Sequence, residues 1–260
     1  MKLILDQLAK RRIFHPLRKL GLAVAKHWPF PVRATLYNGA ELWVDCRSAI
    51  GRAILVKAEF DQGVWRAIEP SLGAGGVFID VGANVGYYTV LAGEHVGASG
   101  QAHAFEIDPR PLRCLRRNVA ACKHHNISLH EIAIGDSVGE GVLQAESDCG
   151  HSSVHAIGPG LPVAVTSLDH WMQTRVALKR LDVIKIDIEG GELLALEGAR
   201  KLIEKFRPVI VCEALEASDV KGHPGKEKLL RFFRSTGYTS MFLDDVFSPT
   251  ILAAPSEPVS

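Results

Sequence analysis

The chain has 260 residues, 47% of them hydrophobic and 23% charged, enough for one large domain or two small ones around a substantial core. With 30 basic against 29 acidic residues the formal charge is +1, so composition excludes a disordered, collagenous or broadly polyanion-binding chain. The five cysteines form no Cys-x-x-Cys pair and no even framework, which excludes a disulfide scaffold and points to free thiols in a reducing, cytoplasmic setting. No apolar run reaches the eighteen or so residues of a spanning helix, and the start lacks the pattern of a secretory signal.

Residues 1–33 are locally basic, with Lys10, Arg11, Arg12, Arg18 and Lys19 among others against the single acid Asp6. Ile13, Leu17, Leu20 and Val24 recur at helical spacing between them, which describes an amphipathic basic segment. It reads either as a helix packed on the main domain with a wet cationic face or as a peripheral contact with anionic lipid. Short strands follow at 34–36 and Glu41–Val44, around the turn signal Asn38-Gly39. Together 1–60 form a small helical and β appendage, ahead of a main domain over 61–252 and a frayed tail over 253–260.

From residue 76, apolar runs of five to seven residues alternate with helical stretches, the signature of βαβ units around a parallel sheet. Strands are expected at Val77–Val81, 101–106, 128–134, 183–187 and Val209–Glu213. A helix opened by Pro109 or Pro111 carries Leu112, Leu115, Val119 and Cys122 on one face, and Leu193, Leu196, Leu202 and Ile203 mark a later helix. After residue 217 a helix over 226–233 precedes a closing hairpin of strands 238–243 and 246–252.

The most informative stretch is Phe78-Ile-Asp80-Val-Gly82-Ala83-Asn84-Val-Gly86-Tyr87-Tyr-Thr89. A buried strand ends there, the chain turns through two glycines, and a helix begins, as in a nucleotide pocket. Glu106 ends the next strand about twenty residues on, where a carboxylate accepts hydrogen bonds from both ribose hydroxyls. A dinucleotide is disfavoured by Asp80 beside the turn and by Asn84 where a diphosphate needs close backbone approach. A phosphate-free, cationic nucleoside fits better, and S-adenosylmethionine has that chemistry. An oxidoreductase using a dinucleotide in the same crevice, and a non-catalytic binding module, are the alternatives.

These residues resemble the FkbM-type S-adenosylmethionine-dependent methyltransferases of the class I fold. The likeness also rests on Ala104-Phe-Glu106-Ile-Asp-Pro109, Thr166-Ser-Leu-Asp169 and Ile184-Lys185-Ile-Asp187-Ile-Glu189-Gly-Gly-Glu192-Leu. It spans about residues 60 to 215. It implies a Rossmann-like α/β fold with a seven-stranded, mostly parallel sheet in the order 3-2-1-4-5-7-6, helices on both faces and strand 7 antiparallel. It further implies O-methylation, often of hydroxyls on sugars or secondary metabolites. By position, Asp80, Gly82, Ala83, Asn84, Gly86, Tyr87 and Asp187 would line the methionine and ribose side of the cofactor. Glu106 would hold the ribose, and Asp136 would meet the adenine amino group. Many relatives have Glu-Pro where this chain has Glu106-Ile107, a departure that alters the wall beside the adenine.

Methyl transfer to oxygen is an in-line displacement that mainly requires alignment and exclusion of water, with a base to take the hydroxyl proton. Asp187 and Glu189, after the fourth strand, are the first candidates for that base, and His151, in a Ser-rich segment, is the second. With Glu213 at the end of the fifth strand, the two acids form a converging carboxylate rim. Those carboxylates are hard ligands that suit Mg²⁺, yet the same positions serve as helix caps or ion-pair partners, and no residue is assigned to a metal. Cys149, His151 and His155 have zinc-ligand chemistry without an established spacing. The expected partner is a small-molecule or glycan acceptor. No broad basic surface or base-handling motif speaks for nucleic acid.

Overall fold

The computed structural model describes residues 26–145, 152–156, 158–214, 225–244 and 248–256. The basic amphipathic segment over 13–24, Cys149 and His151 lie outside the described residues. In chain order the elements are β1 (Val32–Thr35), β2 (Glu41–Val44), α1 (Ala49–Lys57), α2 (Gln62–Ile68), β3 (Val77–Val81), α3 (Tyr87–Val96) and β4 (Gln101–Phe105). There follow α4 (Pro109–Ala121), β5 (Ile127–His130), β6 (Ala133–Ile134), β7 (Gly139–Ala145), β8 (Ser152–His155), β9 (Leu161–Thr166), α5 (Leu168–Thr174) and β10 (Val183–Ile186). The chain continues with α6 (Glu192–Glu197), α7 (Arg200–Phe206), β11 (Val209–Glu213), α8 (Lys226–Ser235), β12 (Tyr238–Phe242) and β13 (Thr250–Pro255).

Every residue of β3 and β10 is buried, because both strands sit in the middle of the sheet with apolar layers on each side. The main sheet has seven strands in the order β12-β13-β11-β10-β3-β4-β5. Only β13 runs antiparallel to its neighbours, β11 and β12. Counted along the chain, this is the expected order 3-2-1-4-5-7-6. Parallel pairing places the carboxyl ends of β3, β4, β10 and β11 on one rim, and the break in strand order between β3 and β10 opens a crevice there.

Alternation along each strand divides the core in two. Val77, Ile79 and Val81 of β3 join Ile184, Ile186, Ile210, Leu202 and Phe233 on one face. Phe78, Val183 and Val211 face the other way, against Tyr88, Leu91, Ile54, Leu42 and Val44. That second layer shows that the β1–β2 hairpin and α1 are not a separate appendage. They cover a face of the sheet with the same continuous core, so residue 60 marks no packing boundary. Helix α4 is capped by Asp108, whose side chain accepts the Arg110 N–H at 2.8 Å, with Pro109 at its first position.

Three sequence expectations are corrected. The run 128–134 is two strands in different sheets: β5 ends the main sheet, whereas β6 pairs in parallel with β9. No strand is expected between 134 and 183, yet β7, β8 and β9 lie there and join β6 in a second, four-stranded sheet in the order β6-β9-β7-β8. The tail begins later than residue 253, since β13 runs to Pro255 and buries Ala253 completely. Its backbone is held there by pairing with β12, Ala253 opposite Ser240 and Ala254 opposite Thr239. Among the described residues no helix is long and apolar enough to cross a membrane, and the four described cysteines are buried free thiols.

Candidate active site

At the end of β3 the chain turns through Gly82 (φ +80°), Asn84 (φ +52°) and Gly86 (φ +87°) before α3 begins. Gly82 is required twice over. Its φ is left-handed, and a Cβ there would lie 1.8 Å from the Asp187 carbonyl oxygen, so the turn packs directly on the chain leaving β10. Asn84 tolerates the left-handed conformation, and its side-chain oxygen accepts the Val85 N–H at 2.8 Å. The N–H groups of Gly82 and Ala83 both bond the Phe105 carbonyl, at 3.0 Å each, tying the turn to β4.

Glu106 closes the other side. One carboxylate oxygen accepts the Asn84 N–H at 2.8 Å, and the other accepts Ile107 N–H at 2.7 Å and Asp108 N–H at 2.8 Å. Burial raises the Glu106 pKa, and these three N–H donors offset only part of that rise. The turn amide that a diphosphate would seek is therefore already taken by a carboxylate.

Beneath the turn lies a buried ion cluster. Asp80 is fully buried, accepts the Thr89 hydroxyl at 2.6 Å, and faces Lys185 Nζ at 3.5 Å. Lys185 also lies 3.3 Å from Asp187 Oδ2 and 3.5 Å from the Gly82 carbonyl. Burial alone would lower the Lys185 pKa, but Asp187 and Asp80 outweigh it and hold the ammonium above its ordinary range. Burial dominates at Asp80 and raises its carboxyl, against the pull of Lys185. Asp80 thus supports the turn from below and stands apart from the cavity wall that Gly82, Ala83, Asn84 and Tyr87 form.

At the carboxyl rim, oxygens of Asp187, Glu189 and Glu213 all lie within 4.8 Å of one another. Glu189 is left-handed (φ +56°), and Gly190 (φ +114°) follows it in the loop to α6. Glu192, fully buried, secures that loop by accepting the N–H groups of Ile188 at 3.0 Å and Gly190 at 3.1 Å. Glu213 is 7% exposed. Burial, followed by the charges of Asp187 and Glu189, pushes its carboxyl up to about 10.

Gly82, Asn84, Glu106, Lys185, Asp187, Glu189 and Glu213 border one cavity of about 610 Å³, within the roughly 300–1,000 Å³ range of small-molecule sites. Its outer wall is the second sheet, through residues such as Gly141, Leu143, Val154 and Val165. Ser152 of β8 latches that wall to the Glu106 loop, donating to Asp108 Oδ2 at 2.6 Å and accepting from Arg110 at 2.8 Å. Asp136 is exposed at the cavity edge and accepts the Ser137 hydroxyl at 2.8 Å. Asp169, from the Thr166–Asp169 motif, is structural, since its carboxylate accepts the Lys201 and Leu202 N–H groups of α7 at 3.0 and 2.8 Å.

Lys185 was not singled out as a site residue from sequence, although a signal exists. It is the one charged residue inside an apolar central strand, and the parallel register sets it opposite Asp80, the charged residue inside the other. Among the described residues it is also the only lysine or arginine on a cavity wall rich in carboxylates.

Comparison with curated proteins returned no match. Among solved structures, a candidate rRNA methylase from Clostridium thermocellum shares 14% identity at a TM-score of 0.51, over 77% of this chain and 98% of that one. A methyltransferase FkbM from Methylobacillus flagellatus KT shares 16% identity at a TM-score of 0.48, over 96% of this chain and 58% of that one. A candidate methyltransferase from Streptococcus mutans in complex with S-adenosylhomocysteine shares 11% identity at a TM-score of 0.47, over 74% of this chain and 93% of that one. Residues 80–240 match the methyltransferase FkbM domain; with more than half of its length inside that match, the chain belongs to this family of S-adenosylmethionine-dependent methyltransferases.

Proposed function

We propose that the protein methylates a hydroxyl oxygen of a small-molecule or glycan acceptor, and that the acceptor lies between the Gly82–Gly86 turn and the Asp187–Glu189–Glu213 rim. The observation that carries this reading is the shared cavity. The turn and Glu106, suited to the nucleoside, and the carboxylates, suited to the acceptor, border one volume across the β3–β10 break. In this reading Glu106 accepts both ribose hydroxyls, while Gly82, Ala83, Asn84 and Tyr87 lie along the cofactor; Gly86, expected there from sequence, instead faces Leu115 and serves the turn. Asp80 acts indirectly, by fixing the turn. Asp136, at the edge, takes the adenine amino group.

S-adenosylmethionine supplies an electrophilic methyl group when bound. The chain supplies alignment, a wall against water, and a carboxylate to receive the hydroxyl proton. Asp187 is the preferred base, because its backbone is pinned against Gly82 and its half-exposed carboxylate opens to the cavity. Glu213, at 7% exposure, opens less to an acceptor than Asp187 does.

An acid-rich wall repels phosphorylated acceptors and nucleic acid, and favours neutral or cationic ones. Transfer of a labelled methyl group to a panel of sugars and hydroxylated metabolites tests the reading. Neutral polyols or amino sugars are expected to be labelled, with Asp187→Asn slower by about 10²–10⁴-fold while S-adenosylhomocysteine still binds. Near-normal turnover of that variant would remove Asp187 as the base. Labelling confined to nitrogen or to RNA would overturn the O-methylation reading.

A further inference from the structure

We infer that Asp187, Glu189 and Glu213 form a binding site for a hard divalent cation, Mg²⁺ or Mn²⁺, at the acceptor end of the cavity. Around such an ion, at about 2.0–2.4 Å per oxygen, ligands on opposite sides are roughly 4–4.8 Å apart. The three carboxylates already satisfy that limit, with mutual distances no greater than 4.8 Å.

A second observation is independent of the clustering. Glu213 is 93% removed from solvent, and its Oε2 is buried with no hydrogen-bond partner. A buried carboxylate oxygen left without a donor is costly, and a cation between it and its two neighbours removes that cost. Lys185 does not fill the role. Its ammonium is divided between Asp80 and Asp187, at 3.5 and 3.3 Å, on the turn side of the cluster. The donor set is oxygen only, with no cysteine or histidine in the group, which selects Mg²⁺, Mn²⁺ or Ca²⁺ over zinc or copper.

Three protein oxygens leave coordination positions open, and the cavity lies beside them. Water, or a hydroxyl or carbonyl oxygen of an acceptor, can occupy those positions. The ion would then orient the acceptor, a consequence that rests on the methyl-transfer reading above, whereas the ion site itself does not.

Mn²⁺ titration of the full chain without cofactor, read by loss of the free-ion paramagnetic resonance signal, tests the site. One Mn²⁺ per chain is expected, displaced by Mg²⁺ and weakened at least about tenfold in both Glu213→Gln and Glu189→Gln. Glu189 is part-exposed, so its substitution remains informative if the change at Glu213 unfolds the protein. No binding at millimolar Mn²⁺, or binding unchanged in both variants, would overturn the site. Titration with S-adenosylhomocysteine separates the two readings. Nucleoside binding without Mn²⁺ uptake refutes the ion site alone, and Mn²⁺ uptake without nucleoside binding supports the ion site while refuting the cofactor cleft.

Discussion

Gly82 shows how closely the donor turn and the acid rim are joined. A methyl group on it meets the Asp187 carbonyl at 1.8 Å in a left-handed backbone, so neither side-chain rotation nor a small shift accommodates it. Gly82→Ala is expected to destabilise the fold by about 2 kcal/mol or more and to weaken S-adenosylhomocysteine binding, as read by thermal unfolding and calorimetry. An unchanged melting temperature would show that the turn relaxes. By contrast Gly39 has open space around its position, despite a φ of +87°, so its substitution carries only backbone strain. The glycine pattern of the turn was legible from sequence because strand, turn and helix residues lie side by side. The identity of what Gly82 touches was not, because Asp187 is distant in sequence.

Between elements, the pairing of β3 with β10 places one carboxylate and one ammonium on the same sheet face, away from water. Removing the cation alone strands Asp80. Lys185→Met is expected to cost about 3–5 kcal/mol of folding stability, and Asp80→Asn added to it to recover at least about 1 kcal/mol. Chemical denaturation of the single and double variants measures this, and strictly additive losses would refute a direct pairing. The central strands were readable because they are continuous apolar runs; β3 and β11 have the bounds that the runs suggest. The second sheet was hidden for identifiable reasons. Strand β6 has two residues, β7 contains Gly139 and Gly141, and β9 carries Pro162 at its second position with an exposed start. Those strands are ordered by tertiary pairing rather than by local preference, so residues of the cavity's outer wall such as Leu143 and Val154 could not be assigned from the pattern.

For the molecule as a whole, acid sensitivity follows from a buried aromatic and imidazole cluster. His103 shares a hydrogen bond with His130 at 3.3 Å and another with Gln101 at 3.3 Å, and its ring lies 5.0 Å from that of Trp171. Burial, then the neighbouring His130, lowers the His103 pKa to about 4, and burial lowers His130 as well. Above pH 6.5 both folded and unfolded chains carry neutral imidazoles there. As pH falls toward 4 only the unfolded chain takes up the proton, so the folded state loses up to about 3 kcal/mol, and the loss levels off below that. Urea midpoints measured between pH 7.5 and 4 are expected to fall accordingly, with a shallower fall in His103→Gln. Equal slopes in both proteins would assign the acid sensitivity elsewhere.

Three main-chain amides aim the Glu106 carboxylate before any nucleoside arrives. With the proposed cofactor seated, recognition becomes a matter of stereochemistry, because a rigid pair of acceptor atoms meets a rigid sugar ring. A furanose whose neighbouring hydroxyls share one face can address both oxygens together, and its arabino epimer can reach just one.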